Sequence, residues 1–176
     1  MSEMYRPDLL QRIYDLDEDV SLLYNPNTRF RMIIVGGGAL VLRSVLVRAT
    51  SDIDVLQADK RLLGLMEAYD MNGRVNAYES HFPYNYEDRI EHIWSGKNID
   101  YYTASLEDIV VSKLCSNRPE DLDDAKEVVE HIDWDKLEHL AKDKDELKSS
   151  VLNDTTYYNF LSHYEEYKKR FRPCKN

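Results

Sequence analysis

With 176 residues, 43% hydrophobic and 32% charged, the chain can form one domain with a real core, or one domain plus a helical appendage, and has the composition of a soluble globular protein. Its net charge of −10 argues against broad, non-specific binding to a phosphate backbone, but not against a local basic patch or a metal-bridged phosphate ligand. No apolar run approaches the ~20 residues of a membrane helix, the acidic start MSEMYRPDLLQRIYDLDEDV lacks a signal peptide's apolar region, and Cys115 and Cys174 are expected as reduced thiols in a cytoplasm.

In chain order, PDLLQRIYDLDEDVSLLY carries apolar residues at helical spacing and predicts an N-terminal helix. NPNT reads as a turn, and FRMIIV as a strand closed by Gly36 to Gly38. ALVLRSVL reads as a helix opening at those glycines. SDIDVLQ alternates polar and apolar residues and predicts a strand. ADKRLLGLMEAYDM reads as a helix weakened by Gly64. RVNAYES reads as a strand, YEDRIEHIW as either strand or short helix, and KNIDYYTAS as a strand.

Helices follow. Ser105 and Asp108 resemble a capping box before SLEDIVVSKLCS, with Asp in place of the usual Glu. Pro119 sits where a first helical turn accepts it, and Asp133 is placed to cap WDKLEHLAKDKDELKSS. NDTTYYNFLSHYEEYKKRF places aromatic residues at three-to-four spacing, a stripe that either packs on the body of the protein or stacks bases. The α/β core is expected over about residues 30 to 104, flanked by helices on both sides. The expected division is residues 1–130 as an α/β domain with its following helices, and 131–176 as a C-terminal helical extension packed on it.

The stretch IIVGGGALVLRSVLVRATSDIDVL carries the chemistry. On a strand, Asp52 and Asp54 share a face while Ile53 and Val55 point to the core. Their Cα atoms should lie roughly 6.5–7 Å apart, so the carboxylates can converge on one divalent cation or bridge two. Hard oxygen ligands favour magnesium or manganese. Gly36, Gly37 and Gly38, between a strand and a helix, lack side chains that would keep a phosphate from the backbone. The spacing is neither the dinucleotide pattern G-x-G-x-x-G nor a P-loop. Arg48, Thr50 and Ser51 stand just before the acids and are the expected further contacts of a phosphate-bearing nucleotide bound there.

GGGALVLRSVLVRATSDIDVL resembles the signature of the nucleotidyltransferase fold of the DNA polymerase beta superfamily, and most resembles the small bacterial branch that includes AbiE-type toxin nucleotidyltransferases. LEDIVVSKLCSNRPEDLDDAKEVV resembles a second block of that branch, a helical lysine followed by Arg-x-x-Asp-x-x-Asp, matched by Lys113, Arg118, Asp121 and Asp124. The resemblance spans about residues 33 to 130. It implies an α/β (α+β) fold, with a mixed sheet flanked by helices and a C-terminal helical segment. Gly36 and Gly37 would then contact nucleotide phosphates, and Asp52 and Asp54 would bind metal. Lys113 would reach phosphate or orient a carboxylate; the alternative is a solvent-exposed helical lysine. Arg118, Asp121 and Asp124 are either part of the site or a structural salt-bridge and capping cluster. Relatives usually carry a third acid on a later strand; Asp100 is the candidate for that metal-binding and catalytic role, with Asp88 and Glu91 as rivals. Relatives often have glycine after Leu-Arg, where this chain has Ser44-Val45.

The implied activity moves a nucleoside monophosphate from a nucleoside triphosphate, with Mg2+ or Mn2+, to an acceptor hydroxyl on RNA, protein or a small molecule. Alternatives are a binding module of the same fold that has lost its chemistry, and a subunit of a two-component toxin–antitoxin or phage-defence system with an antitoxin-like partner. No membrane partner is expected. The five histidines show no metal-ligand spacing, and Cys115 lies on an apolar helix as a small buried residue. The basic KKRFRPCK either stabilises a helix C-terminus or offers phosphate contacts to RNA.

Overall fold

The structure is a computed structural model describing residues 3–75, 79–143, 147 and 154–174. Two compact units emerge: Met1–Ala77 with Arg89–Ala104, and Tyr78–Asp88 with Ser105–Asn176. The helices after Ser105 fall with the C-terminal helix in the second of these units.

The first unit begins with α1 (Arg6–Leu23). Pro7 sits in its first turn, and the Asp8 carboxylate accepts the Tyr5 backbone N–H at 2.9 Å. Its apolar residues recur every three to four positions, so Leu9, Ile13, Leu16 and Val20 share one buried face. β1 (Phe30–Val35) leads directly into α2 (Gly36–Leu42). β2 (Ile53–Leu56), α3 (Leu63–Glu67), β3 (Met71–Asn72), β4 (Glu91–Ser95) and β5 (Ile99–Thr103) complete the unit. They build one mixed sheet of five strands in the order β3-β2-β1-β5-β4. β1 pairs antiparallel with β2 and parallel with β5, β2 pairs parallel with β3, and β4 pairs antiparallel with β5.

Central β1 is buried at every position but Arg31, as its nearly continuous apolar run requires. One sheet face carries Met32, Ile34 and Tyr101; the Tyr101 hydroxyl donates to the Ile13 carbonyl of α1 at 3.0 Å. Asp17, also on the buried face of α1, accepts backbone N–H groups from Lys97, Asn98 and Ile99 at 2.6, 2.9 and 2.9 Å. One carboxylate therefore clamps the β4–β5 connection.

The predicted helix over Ala58 to Met71 is shorter than expected. Asp70 takes φ 56, a left-handed conformation that ends helical geometry, and Met71 enters β3 instead. YEDRIEHIW resolves into a 3-10 turn at Tyr86–Arg89 followed by β4. The predicted strand RVNAYES includes residues 76–78, which lie outside the described residues.

The second unit holds α4 (Leu106–Leu114), α5 (Pro119–Glu127), α6 (Trp134–Lys142) and α7 (Asp154–Phe171). Ser105 caps α4, accepting the Asp108 N–H at 3.1 Å and donating to the Asp108 carboxylate at 2.6 Å. The Asp133 carboxylate caps α6, accepting N–H groups of Asp135 and Lys136 at 3.0 and 3.1 Å. The aromatic stripe is core: Tyr157, Phe160, Tyr164 and Tyr167 are buried, and the Tyr167 hydroxyl donates to the Ala125 carbonyl at 2.6 Å. No described helix is long and apolar enough to cross a membrane.

Candidate functional site

The two halves of the glycine-and-acid motif meet because β1 and β2 run antiparallel. Register sets Asp54 opposite Val35, the last residue before the glycines. At Gly36 the chain turns with φ +65, a conformation that side chains disfavour, and α2 starts at once. A Cβ added to Gly36 would lie 3.3 Å from Asp54 Oδ2. The bare turn and the acid therefore face each other directly. Gly37 is half-buried beside it. Gly38 has a packing role: a Cβ there would lie 3.4 Å from the Asp52 carbonyl oxygen, so its absence lets α2 lie close over β2.

Ile53 and Val55 are fully buried, whereas Asp52 and Asp54 are half-buried. Asp52 lies one residue before the strand. Its carbonyl accepts the Thr50 hydroxyl at 3.1 Å, while Thr50 exchanges two backbone hydrogen bonds with Met4 at 2.8 and 2.9 Å. In this structure Thr50 shapes the approach of the chain to the acids. Arg48 and Ser51 are exposed on that approach. Asn72, the β3 partner of Asp54, donates from Nδ2 to Asp54 Oδ1 at 3.3 Å. Sequence reading missed this residue, since the alternation of β3 lasts only two positions.

Asp100 is not brought to the pair. It stands opposite Arg31 on β1, four residues from the Val35 that faces Asp54. At a rise of roughly 3.3 Å per residue that is about 13 Å along the strand, too far for a shared ion. Arg29 reaches both Asp100 oxygens. Burial works to raise this carboxyl, but the hydrogen bonds from Arg29 and Ser95 and the nearby positive charge outweigh it and hold it low. Of the rivals, Glu91 pairs with Arg43 at 2.8 Å on the edge strand, and Asp88 belongs to the second unit.

Among the described residues, no three His, Cys, Asp or Glu side chains are grouped to hold a metal ion. The pair of hard carboxylates still suits magnesium, which binds through one or two carboxylates and keeps its other positions for water and phosphates. The side-chain-free turn against Asp54 Oδ2 suits the same group.

In the second unit, Lys113 is buried at 6% exposure rather than solvent-exposed. Its ammonium lies 2.8 Å from Asp124 and 3.1 Å from Asp121, and Arg118 Nε lies 2.7 Å from the other Asp121 oxygen. Burial pushes the Asp121 carboxyl up. The Lys113 charge, with hydrogen bonds from Ser116 and Lys113 and the Arg118 charge, overcomes that and keeps it below the usual range. Buried ion pairs of this kind tolerate the loss of one partner poorly.

The other polar candidates have structural partners. In the basic C-terminus, Arg172 pairs with Glu138 at 2.7 Å and Asp135 at 2.9 Å, and Arg170 pairs with Glu166 at 3.3 Å. Cys115 is buried, and burial pushes its thiol up to about 12, leaving it unreactive at neutral pH.

A protein-family description, nucleotidyltransferase of unknown function (DUF6036), matches residues 11–172. No curated protein and no solved structure matches the chain.

Proposed function

The chain belongs to this DUF6036 family of nucleotidyltransferases of unknown function, and from that premise we propose that it transfers a nucleoside monophosphate from a nucleoside triphosphate to an acceptor hydroxyl. One observation carries the reading: Asp54 Oδ2 faces the bare Gly36 turn, 3.3 Å from where a Cβ would stand. A carboxylate and an open backbone cradle thus share one small space.

In this reading Asp52 and Asp54 hold Mg2+ or Mn2+, which when bound neutralises the triphosphate and stabilises the attacking and leaving oxygens. Gly36 and Gly37 let the phosphates lie against the backbone, and Arg48 and Ser51 flank the approach. The acceptor oxygen bonds to the α-phosphorus as the bond to the bridging oxygen breaks, its proton passes to solvent, and pyrophosphate leaves. RNA and protein are the acceptors we favour, in the setting of a toxin–antitoxin or phage-defence pair that the sequence resemblance suggests.

A second reading is favoured by the lack of a third acid beside the pair among the described residues. It is a module that binds nucleotide without transferring it. Incubation with each labelled triphosphate, magnesium, and total cell RNA or lysate protein separates the two. Transfer predicts a labelled acceptor with the wild type and none with Asp54→Asn. Retained labelling by a purified, folded Asp54→Asn protein would falsify the assignment of the site. Triphosphate binding without a labelled acceptor supports the second reading.

A further inference from the structure

We infer that Asn72 is a positioning residue that holds the Asp54 carboxylate in the orientation needed to present Oδ2 to the glycine turn. The inference rests on the proposal that Asp52 and Asp54 are the metal-holding pair.

β3 contributes two residues to the sheet, and one of them, Asn72, is the direct partner of Asp54 in parallel register. Adjacent strands lie about 4.8 Å apart, so a short side chain on either can reach the other. The amide has only one workable orientation. The backbone N–H of Arg74 donates to Asn72 Oδ1 at 3.1 Å, and a backbone N–H can serve only as donor. The oxygen of the amide is therefore on the Arg74 side, and the NH2 group faces Asp54, donating to Oδ1 at 3.3 Å.

The two oxygens of Asp54 are thus divided. Oδ1 is held from the β3 side by a neutral donor, and Oδ2 stands against Gly36. The terminal torsion of an aspartate is broad and roughly two-fold, so by itself it does not fix where each oxygen points. A donor on Oδ1 narrows that torsion, and this prepares Oδ2 as a ligand. Partners that orient ligating carboxylates typically change metal affinity by about 10- to 100-fold when removed.

The test uses the full chain and Mn2+ alone, with free Mn2+ read from its electron paramagnetic resonance signal. Asn72→Ala should weaken Mn2+ binding about 10-fold while the circular dichroism of the fold is kept. Asp54→Asn is the control for the underlying reading. If Asp54→Asn binds Mn2+ like the wild type, the metal-holding pair itself is wrong. If Asp54→Asn loses binding but folded Asn72→Ala binds like the wild type, the positioning role is overturned and the pair stands.

A second measurement needs no variant. On titration of the wild type with diamagnetic Mg2+, the Asn72 side-chain amide resonances should shift in step with saturation. Amide signals that stay fixed while Gly36 and Asp54 shift would overturn the role, even if Asn72→Ala fails to fold.

Discussion

Asp54 and Gly36 occupy each other's space: the acid's Oδ2 lies 3.3 Å from the site of an absent Gly36 Cβ, and Gly36 itself takes φ +65. A side chain at Gly36 would act twice, through the backbone and by crowding the carboxylate. The left-handed conformation costs a non-glycine residue roughly 1–2 kcal/mol. Gly36→Ala should therefore destabilise the fold by about that amount in urea denaturation, and should reduce nucleotide transfer far more than this loss of stability explains. A folded Gly36→Ala protein with full transfer would separate the turn from the chemistry.

Ser44 offers the opposite change. It stands just after α2 with φ 58 and is exposed. Ser44→Gly should relieve the strain and raise stability by about 0.5–1 kcal/mol, after the extra freedom of glycine in the unfolded chain is subtracted. The melting temperature should rise by about 1–4 °C. A lower melting temperature would show that the loop gains more from the serine than its backbone loses.

The Asp17 clamp predicts a large structural effect far from the candidate site. Its carboxylate satisfies the N–H groups of Lys97, Asn98 and Ile99, and the side chain is 1% exposed. Asp17→Ala leaves those donors without their acceptor, at about 1–3 kcal/mol for each that stays buried. We expect a loss of at least about 3 kcal/mol, with hydrogen exchange at residues 97–99 accelerated before the rest of the sheet.

Glu138 predicts an acid-range dependence. Hydrogen bonds from Arg172 and Lys142, together with their charges, lower its carboxyl from the ordinary 4.5 to about 2. Between these values the unfolded chain binds the proton and the folded chain does not, so stability rises with pH across that window. The contribution is complete above about pH 4.5 and disappears as pH falls through about 2. Arg172→Ala should flatten this part of the stability profile, as measured by denaturation at a series of acidic pH values. An unchanged slope would show that Arg172 is not its main cause.

Much of this architecture could be read from local pattern. FRMIIV became β1 over the same residues, because a continuous apolar run bounded by glycine suits a strand buried on both faces. The caps at Ser105 and Asp133 depend on neighbours two or three residues away, and both formed. The predicted helix over Ala58 to Met71 came out shorter, as Leu63–Glu67, and the positive φ of Asp70 that turns the chain into β3 is not announced by composition alone.

The candidate site divides in the same way. The sequence by itself determined that bare glycines end a strand and that two acids flank a core isoleucine, because turn chemistry and side-chain alternation are local properties of the chain. Only the tertiary structure decided which residues stand beside those acids. Alternation assigns Asp100 to a face but says nothing of its register, and pairing with Arg31 put it about 13 Å along the strand from Asp54, while pairing with β3 put Asn72 next to it. Lys113 likewise lies on a helix that could have faced solvent, and the carboxylates of Asp121 and Asp124 make its burial tolerable. Register and burial come from contacts between residues distant in sequence, and no local pattern contains them.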